Sequence, residues 1–152
     1  MTVTLRDINR DNWLQCVRLR VAPGQEEFVA SNAVSLAQAS YEPEWQPYAI
    51  FDDEQMVGFV MYGLEPREQQ HWILRLMVDA AHQQRGYGRA AMRLVLERLK
   101  ALPDCRGIAI SYEGANKTAR QLYLSLGFRE TGEVIEGEVV ARMAGSDPES
   151  NQ

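Results

Sequence analysis

The sequence predicts an α/β protein of the α+β kind, a mixed and mostly antiparallel sheet of about six to seven strands flanked by about four helices, and three observations carry that prediction. Residues 48–78 hold successive strand-like runs joined by polar connections, the pattern of an antiparallel meander. An amphipathic run from 88 to about 102 then separates two apolar runs, 72–78 and 107–112, and a helix between two such strands makes them parallel neighbours. Two further runs, 129–135 and 138–143, bracket Glu136-Gly137 and read as a closing hairpin. With 152 residues, 45% hydrophobic and 24% charged, the chain suits one domain with its own core.

Taken in order, residues 3–7 alternate apolar and polar side chains and read as a first strand. Asn12 is placed to cap a helix through Trp13, Leu14, Val17, Leu19 and Val21, stopped by Pro23-Gly24. From Gln25 to Ala39, the residues Phe28, Val29, Ala33, Leu36 and Ala37 fall on one face of a second helix. Residues 40–47 follow as a loop with an unusual mixture: Tyr41, Glu42, Pro43, Glu44, Trp45 and Pro47. Residues 48–51 and 56–64 form strands across the polar connection 52–55, and 72–78 adds a third. The next helix carries Ala91, Leu94, Val95, Leu99 and Leu102 on one face before Pro103-Asp104 breaks it; another helix is expected over 117–126. The domain is expected to span 1–143, with residues 144–152 a disordered tail of small and polar residues.

Charge and cysteine usage narrow the function classes. A net charge of −5 speaks against general nucleic-acid binding, which needs a basic footprint. No apolar run reaches membrane-span length and the first residues lack a signal-peptide core, so a cytoplasmic protein without membrane attachment is expected. Cys16 and Cys105 have no metal-ligand spacing and are expected to be free thiols, and no metal site is expected.

The most informative stretch runs from His82 to Ala91, a glycine-bearing turn between a strand and a helix. Free N–H groups and the positive end of the helix dipole meet there, Gly86 and Gly88 let a phosphate approach the backbone, and Arg85 and Arg89 flank the turn. A tight loop needs such glycines whatever it binds. Gly86-x-Gly88-x-x-Ala91 also matches a dinucleotide-binding spacing, but that fingerprint belongs in alternating strands and helices with an acidic residue about 20 positions on. Here a meander precedes the loop and Glu113 comes late.

Gln83-x-x-Gly86-x-Gly88, followed by Asn116-x-x-Ala119-x-x-x-Tyr123-x-x-x-Gly127-Phe128, resembles the two signature motifs of the GNAT-type N-acetyltransferases, with the likeness extending over residues 56–128. The resemblance implies a sheet split between two parallel central strands and direct transfer of acetyl from acetyl-CoA, used as co-substrate, to a primary amine. It implies a diphosphate on the backbone N–H groups of about Gln84, Arg85, Gly86, Tyr87, Gly88 and Arg89, with Gln83 a further cofactor contact, and a pantetheine arm bonded along the backbone of Leu76, Met77 and Val78 in the manner of an added strand. An N–H near Met77 would face the developing oxyanion, a contact often worth about 3 kcal/mol. Asn116 reads as a helix N-cap by position and as a pantetheine contact by resemblance. Tyr123 reads as a core residue by spacing, and by resemblance as the acid that protonates the departing thiolate.

The amine must lose a proton before it attacks, yet residues 72–76 carry no Asp or Glu where many relatives have one. Glu42, Glu44, Glu65 and Glu113 are the candidate bases, each more readily read as a surface carboxylate; neither His71 nor His82 is expected to act. The pattern Gln25-x-x-Phe28-Val29-Ala30-x-Asn32, with 36–39 and 56–63, is similar to bacterial diamine and polyamine N-acetyltransferases. Tyr41, Glu42, Glu44 and Glu113 are therefore candidate contacts for an alkylammonium, through charge pairing and cation–π interaction. Another amine (an amino acid, an antibiotic or a protein N-terminus) and a non-catalytic acyl-CoA-binding module are the competing expectations. The resemblance also implies a possible homodimer.

Overall fold

Alternation along the strands sends one set of side chains to each face of a single sheet, and helices cover both. The computed structural model describes residues 1–146. Its strands are β1 (Val3–Asp7), β2 (Trp45–Asp52), β3 (Gln55–Glu65), β4 (Gln70–Val78), β5 (Gly107–Tyr112), β6 (Arg129–Ile135) and β7 (Glu138–Ala144); its helices are α1 (Trp13–Arg18), α2 (Asn32–Tyr41), α3 (Tyr87–Lys100) and α4 (Lys117–Ser125). The seven strands lie in the order β1-β2-β3-β4-β5-β7-β6, and only β4 and β5 run parallel. On one face Val60, Ile73, Ile108 and Ile110 pack with Met92, Val95, Tyr123 and Phe128 from α3, α4 and the segment after it. On the other, Phe59, Met61, Trp72, Met77, Ala109 and Val140 pack with Cys16 of α1 and Leu36 of α2.

The sheet opens at its centre. β4 pairs with β5 only through His71↔Ile108, Trp72↔Ala109 and Ile73↔Ile110, although β4 continues along β3 as far as Val78. The β3–β4 register jumps from Tyr62↔Ile73 to Met61↔Arg75, so Leu74 is an extra residue, a bulge at the point where the parallel pairing stops. From there to Val78, the backbone groups of β4 on its β5 side have no strand partner among the described residues. This is the split that the resemblance implied.

Three expectations need correction. The first helix ends at Arg18, with Leu19 extended, and Asn12 does not cap it: its side chain accepts from the Asn9 N–H (2.8 Å) and donates to the Asp7 carbonyl (2.9 Å), pinning the preceding turn instead. The second helix begins at Asn32, where Ser31 Oγ accepts from the Val34 N–H (3.2 Å); residues 25–30 form turns, with the Phe28 N–H bonded to the Gln25 carbonyl. The expected 40–47 loop is consumed from both ends, because α2 runs through Tyr41 and β2 starts at Trp45. Pro47 is tolerated in a strand because β1 reaches only as far as Tyr48, leaving that side of β2 an edge.

β7 runs through Ala144, one residue past the expected domain limit, and residues 147–152 of the expected tail lie outside the described residues. Cys16 and Cys105 are free and buried, and burial pushes the Cys16 thiol up to about 11. Among the described residues no helix is long and apolar enough to cross a membrane.

Candidate active site

The loop after β4 is built to expose backbone amides. Asp79 caps a short 3-10 turn, Ala80–His82, by accepting from the Ala81 N–H. Gln84 at φ 65° and Gly86 at φ 85° then reverse the chain, and glycine meets the second of these at no steric cost. α3 begins at Tyr87 with Gly86 in the cap position, so among the described residues no cap side chain bonds the first amides of the helix. Gln83 fastens the loop: its Nε2 donates to the Val78 carbonyl (3.0 Å) and to Gln25 Oε1 (2.9 Å).

A groove of about 640 Å³ lies between this loop and α4. Its walls include Leu76, Met77, Val78, Gln83, Gln84, Gly86, Tyr87, Gly88 and Arg89 on one side and Asn116, Ala119, Leu122 and Tyr123 on the other. Arg85 lies outside that lining. Tyr87 contributes backbone more than phenol, since its ring is buried and its hydroxyl donates to Asp52. Asn116 serves as the expected N-cap, its Oδ1 accepting from the Ala119 N–H (3.2 Å), while still lining the groove.

Tyr123 is 6% exposed, with its ring against Tyr112 (centroids 5.5 Å apart) and Phe128 (6.2 Å). Burial raises its pKa, reinforced by the fields of Tyr112 and Glu138, so the phenol carries its proton throughout the neutral range. Tyr112 is held in turn: its hydroxyl donates to Glu130 (2.7 Å), which also accepts from Arg120 Nε (2.8 Å). Burial first, and that bond second, push the Tyr112 phenol up to about 12.

On the α2 side of the split lies a second cavity of about 450 Å³, lined by Glu26, Glu27, Ala30, Ile73–Leu76, Ile110–Glu113, Glu136 and Glu138. It shares Phe28, Val29, Leu76, Asn116, Ala119 and Tyr123 with the groove, so the two spaces adjoin along these residues. Five carboxylates face this cavity against one guanidinium, that of Arg75, which donates to the Leu74 carbonyl (2.9 Å) and to Gln38 Oε1 (3.3 Å). Burial lowers the Arg75 pKa, with Glu138 opposing the shift.

The structure brings Glu113 to this cavity but leaves out Tyr41, Glu42 and Glu44, which line neither space. Tyr41 is 87% exposed at the end of α2. Glu42 and Glu44 precede Trp45, which pairs with Gly63, at the opposite end of β3 from Gly58 and its partner Val78. Glu65 is also at that far end, opposite Gln70, where it accepts from the Glu68 N–H (2.6 Å). Sequence reasoning missed Glu26, Glu27, Arg75, Glu136 and Glu138. The first two read as the outer face of a helix that does not form there, and the last two as hairpin residues; the signal available was a Glu-x-Glu at the start of β7, the strand paired with the far edge of β5.

The sequence matches the model of the acetyltransferase (GNAT) family over residues 5–128. It is 28% identical over 147 residues to a spermine/spermidine N(1)-acetyltransferase of Bacillus subtilis (strain 168), covering 92% of this chain and 97% of that one. Among solved structures, an acetyltransferase from Thermus thermophilus superposes with a TM-score of 0.78 at 18% identity, covering 95% of this chain and 97% of the other. A spermidine N-acetyltransferase from Vibrio cholerae, in complex with CoA and spermine, superposes with a TM-score of 0.73 at 17% identity, covering 93% of each chain. At these identities the two structures speak to the fold alone.

Proposed function

The chain belongs to the acetyltransferase (GNAT) family, and from that premise we propose that it transfers the acetyl group of acetyl-CoA directly to a primary amine of a diamine or polyamine such as spermidine or spermine. The observation that carries the substrate is the acceptor cavity, where Glu26, Glu27, Glu113, Glu136 and Glu138 surround a space reached by Tyr123. A linear polycation suits such a lining, because several ammonium groups are matched at once and each exposed pair adds only a little. The activities named for the Bacillus subtilis relative and the Vibrio cholerae structure support the same substrate class.

The groove suits acetyl-CoA on physical grounds. A Cβ built on Gly86 would meet nothing within 4 Å, which leaves the backbone approachable from outside. The amides of 84–89, at the positive end of α3, hold the diphosphate, with Arg89 in the groove and Arg85 outside it adding positive charge. The strand-free side of Leu76 to Val78 bonds the pantetheine arm, and an N–H near Met77 stabilises the oxyanion. When bound, acetyl-CoA supplies the electrophilic thioester carbon. Tyr123, kept neutral by burial, donates its proton to the departing sulfur. A homodimer joined along the closing strands completes the proposal, in keeping with β6, whose residues are exposed along its whole length.

Thiol release measured over a panel of amines tests this reading. Spermidine, spermine and shorter diamines are expected to give the highest kcat/KM, falling with ionic strength as the exposed carboxylates are screened. No thiol release with any amine, despite tight binding of acetyl-CoA, would leave a binding module without catalysis; preference for amino acids or antibiotics would overturn the polyamine assignment.

A further inference from the structure

β4 carries no Asp or Glu from Gln70 to Val78, so a carboxylate that accepts the amine's proton comes from the other residues lining the acceptor cavity. Among its five carboxylates, Glu26, Glu27 and Glu136 are exposed side chains on turns. Glu113 is half-buried, with no hydrogen bond fixing its carboxylate among the described residues. Glu138 is half-buried and held: Ser111 Oγ donates to its Oε1 at 2.9 Å.

Its position follows from the sheet. Ser111 lies opposite Val140 across the β5–β7 ladder, and Val140 and Ala109 belong to the core on the α2 side, so Ser111 and Glu138 project to that side as well. Tyr123 projects from α4 on the opposite side. Both nonetheless line the acceptor cavity, because the β4–β5 pairing ends at Ile73 and Ile110 and the sheet is open beyond them. Acid and base therefore stand on opposite sides of the gap in which the thioester has to lie. Glu138 is also among the groups whose field raises the Tyr123 phenol.

We propose that the Glu138 carboxylate, oriented by Ser111, takes the proton from the incoming alkylammonium, directly or through one water, a step that rests on the acetyl-transfer reading above. The ammonium R–NH3+ gives one proton to Glu138, and the freed lone pair forms the C–N bond at the thioester carbon as the C–S bond breaks. The sulfur takes the Tyr123 proton, and the phenolate recovers a proton from the nitrogen, which keeps the single hydrogen of an amide. Glu138 releases its proton to water, so ammonium and thioester give amide, thiol and one proton.

The test compares Glu138→Gln with the unmodified full-length chain on two amines at pH 7: spermidine, and a polyamine analogue with a terminal aminooxy nitrogen that is already uncharged. Spermidine turnover is expected to fall about 10²-fold or more, and turnover of the aminooxy analogue by less than about fivefold. Glu138→Asp recovers part of the spermidine rate. Calorimetric affinity of Glu138→Gln for acetyl-CoA stays within about threefold of the unmodified chain, reporting an intact fold independently of activity. Equal losses on both amines, an unchanged spermidine rate, or the selective loss appearing in Glu113→Gln instead would overturn the assignment. Failure of the unmodified chain to acetylate either amine would overturn the acetyl-transfer reading along with it.

Discussion

Tyr123→Phe is expected to lower turnover with any accepted amine by about 10²-fold or more, while acetyl-CoA affinity and thermal stability change little. The substitution keeps the ring that packs on Tyr112 and Phe128, so the core contact survives. It strands no partner either, since the Tyr123 hydroxyl has no protein hydrogen bond among the described residues. What disappears is the proton available to the departing sulfur. A thiol near pKa 8.5 and a phenol near 10 exchange protons readily in water; burial raises the phenol, so it holds its proton at neutral pH and gives it up only as negative charge develops on a sulfur in the same buried site. The measurement is kcat by thiol release beside acetyl-CoA affinity by calorimetry. Unchanged turnover removes the acid role, and a parallel loss of affinity assigns the residue to packing.

Gly58→Ala is expected to damage both stability and catalysis although it lies outside the cleft. Gly58 of β3 sits opposite Val78, and a Cβ there would lie 2.4 Å from the Met77 carbonyl oxygen, 3.2 Å from Ile50 Cδ1 and 3.3 Å from Val78 Cα. Two of these neighbours are backbone, so the strand itself has to move. Overpacking of this kind costs about 1–3 kcal/mol, a fall of several degrees in Tm for a chain of this size. The displaced strand carries the N–H assigned to the oxyanion, and a shift of about 1 Å can cost 10²-fold in rate. A drop in Tm together with a drop in kcat is the expected result; an alanine variant with both values unchanged would mean that β4 tolerates the move and that its backbone position does not govern the reaction.

Legibility divided along physical lines. The glycine-bearing turn into α3, the α3 crossover and the parallel β4–β5 pair were readable because each rests on local signals: glycines at a strand-to-helix turn, a 3.6-residue apolar period, and a helix between two apolar runs. The acceptor side was not. It is assembled from residues 26–30 and from Glu113, Glu136 and Glu138, which lie far apart in the chain and converge only because the sheet is split. Phe28 and Val29 fitted a helical face and instead sit in turns, where they line both cavities. The bulge at Leu74 was hidden in a run apolar at every position but Arg75, where alternation and its local failure look alike. The acidic and aromatic composition of 40–47 drew attention to a segment whose Trp45 serves the core and whose exposed Tyr41 lines neither cavity.

The central claim is that the gap between β4 and β5 holds a thioester beside the Tyr123 hydroxyl, and a crystal structure of the protein with coenzyme A tests it most directly. The account predicts the diphosphate on the amides of residues 84–89, the pantetheine arm along Leu76–Val78, and the sulfur within about 3.5 Å of the phenolic oxygen, near hydrogen-bonding reach. Coenzyme A bound elsewhere, or with its sulfur remote from Tyr123, would contradict it.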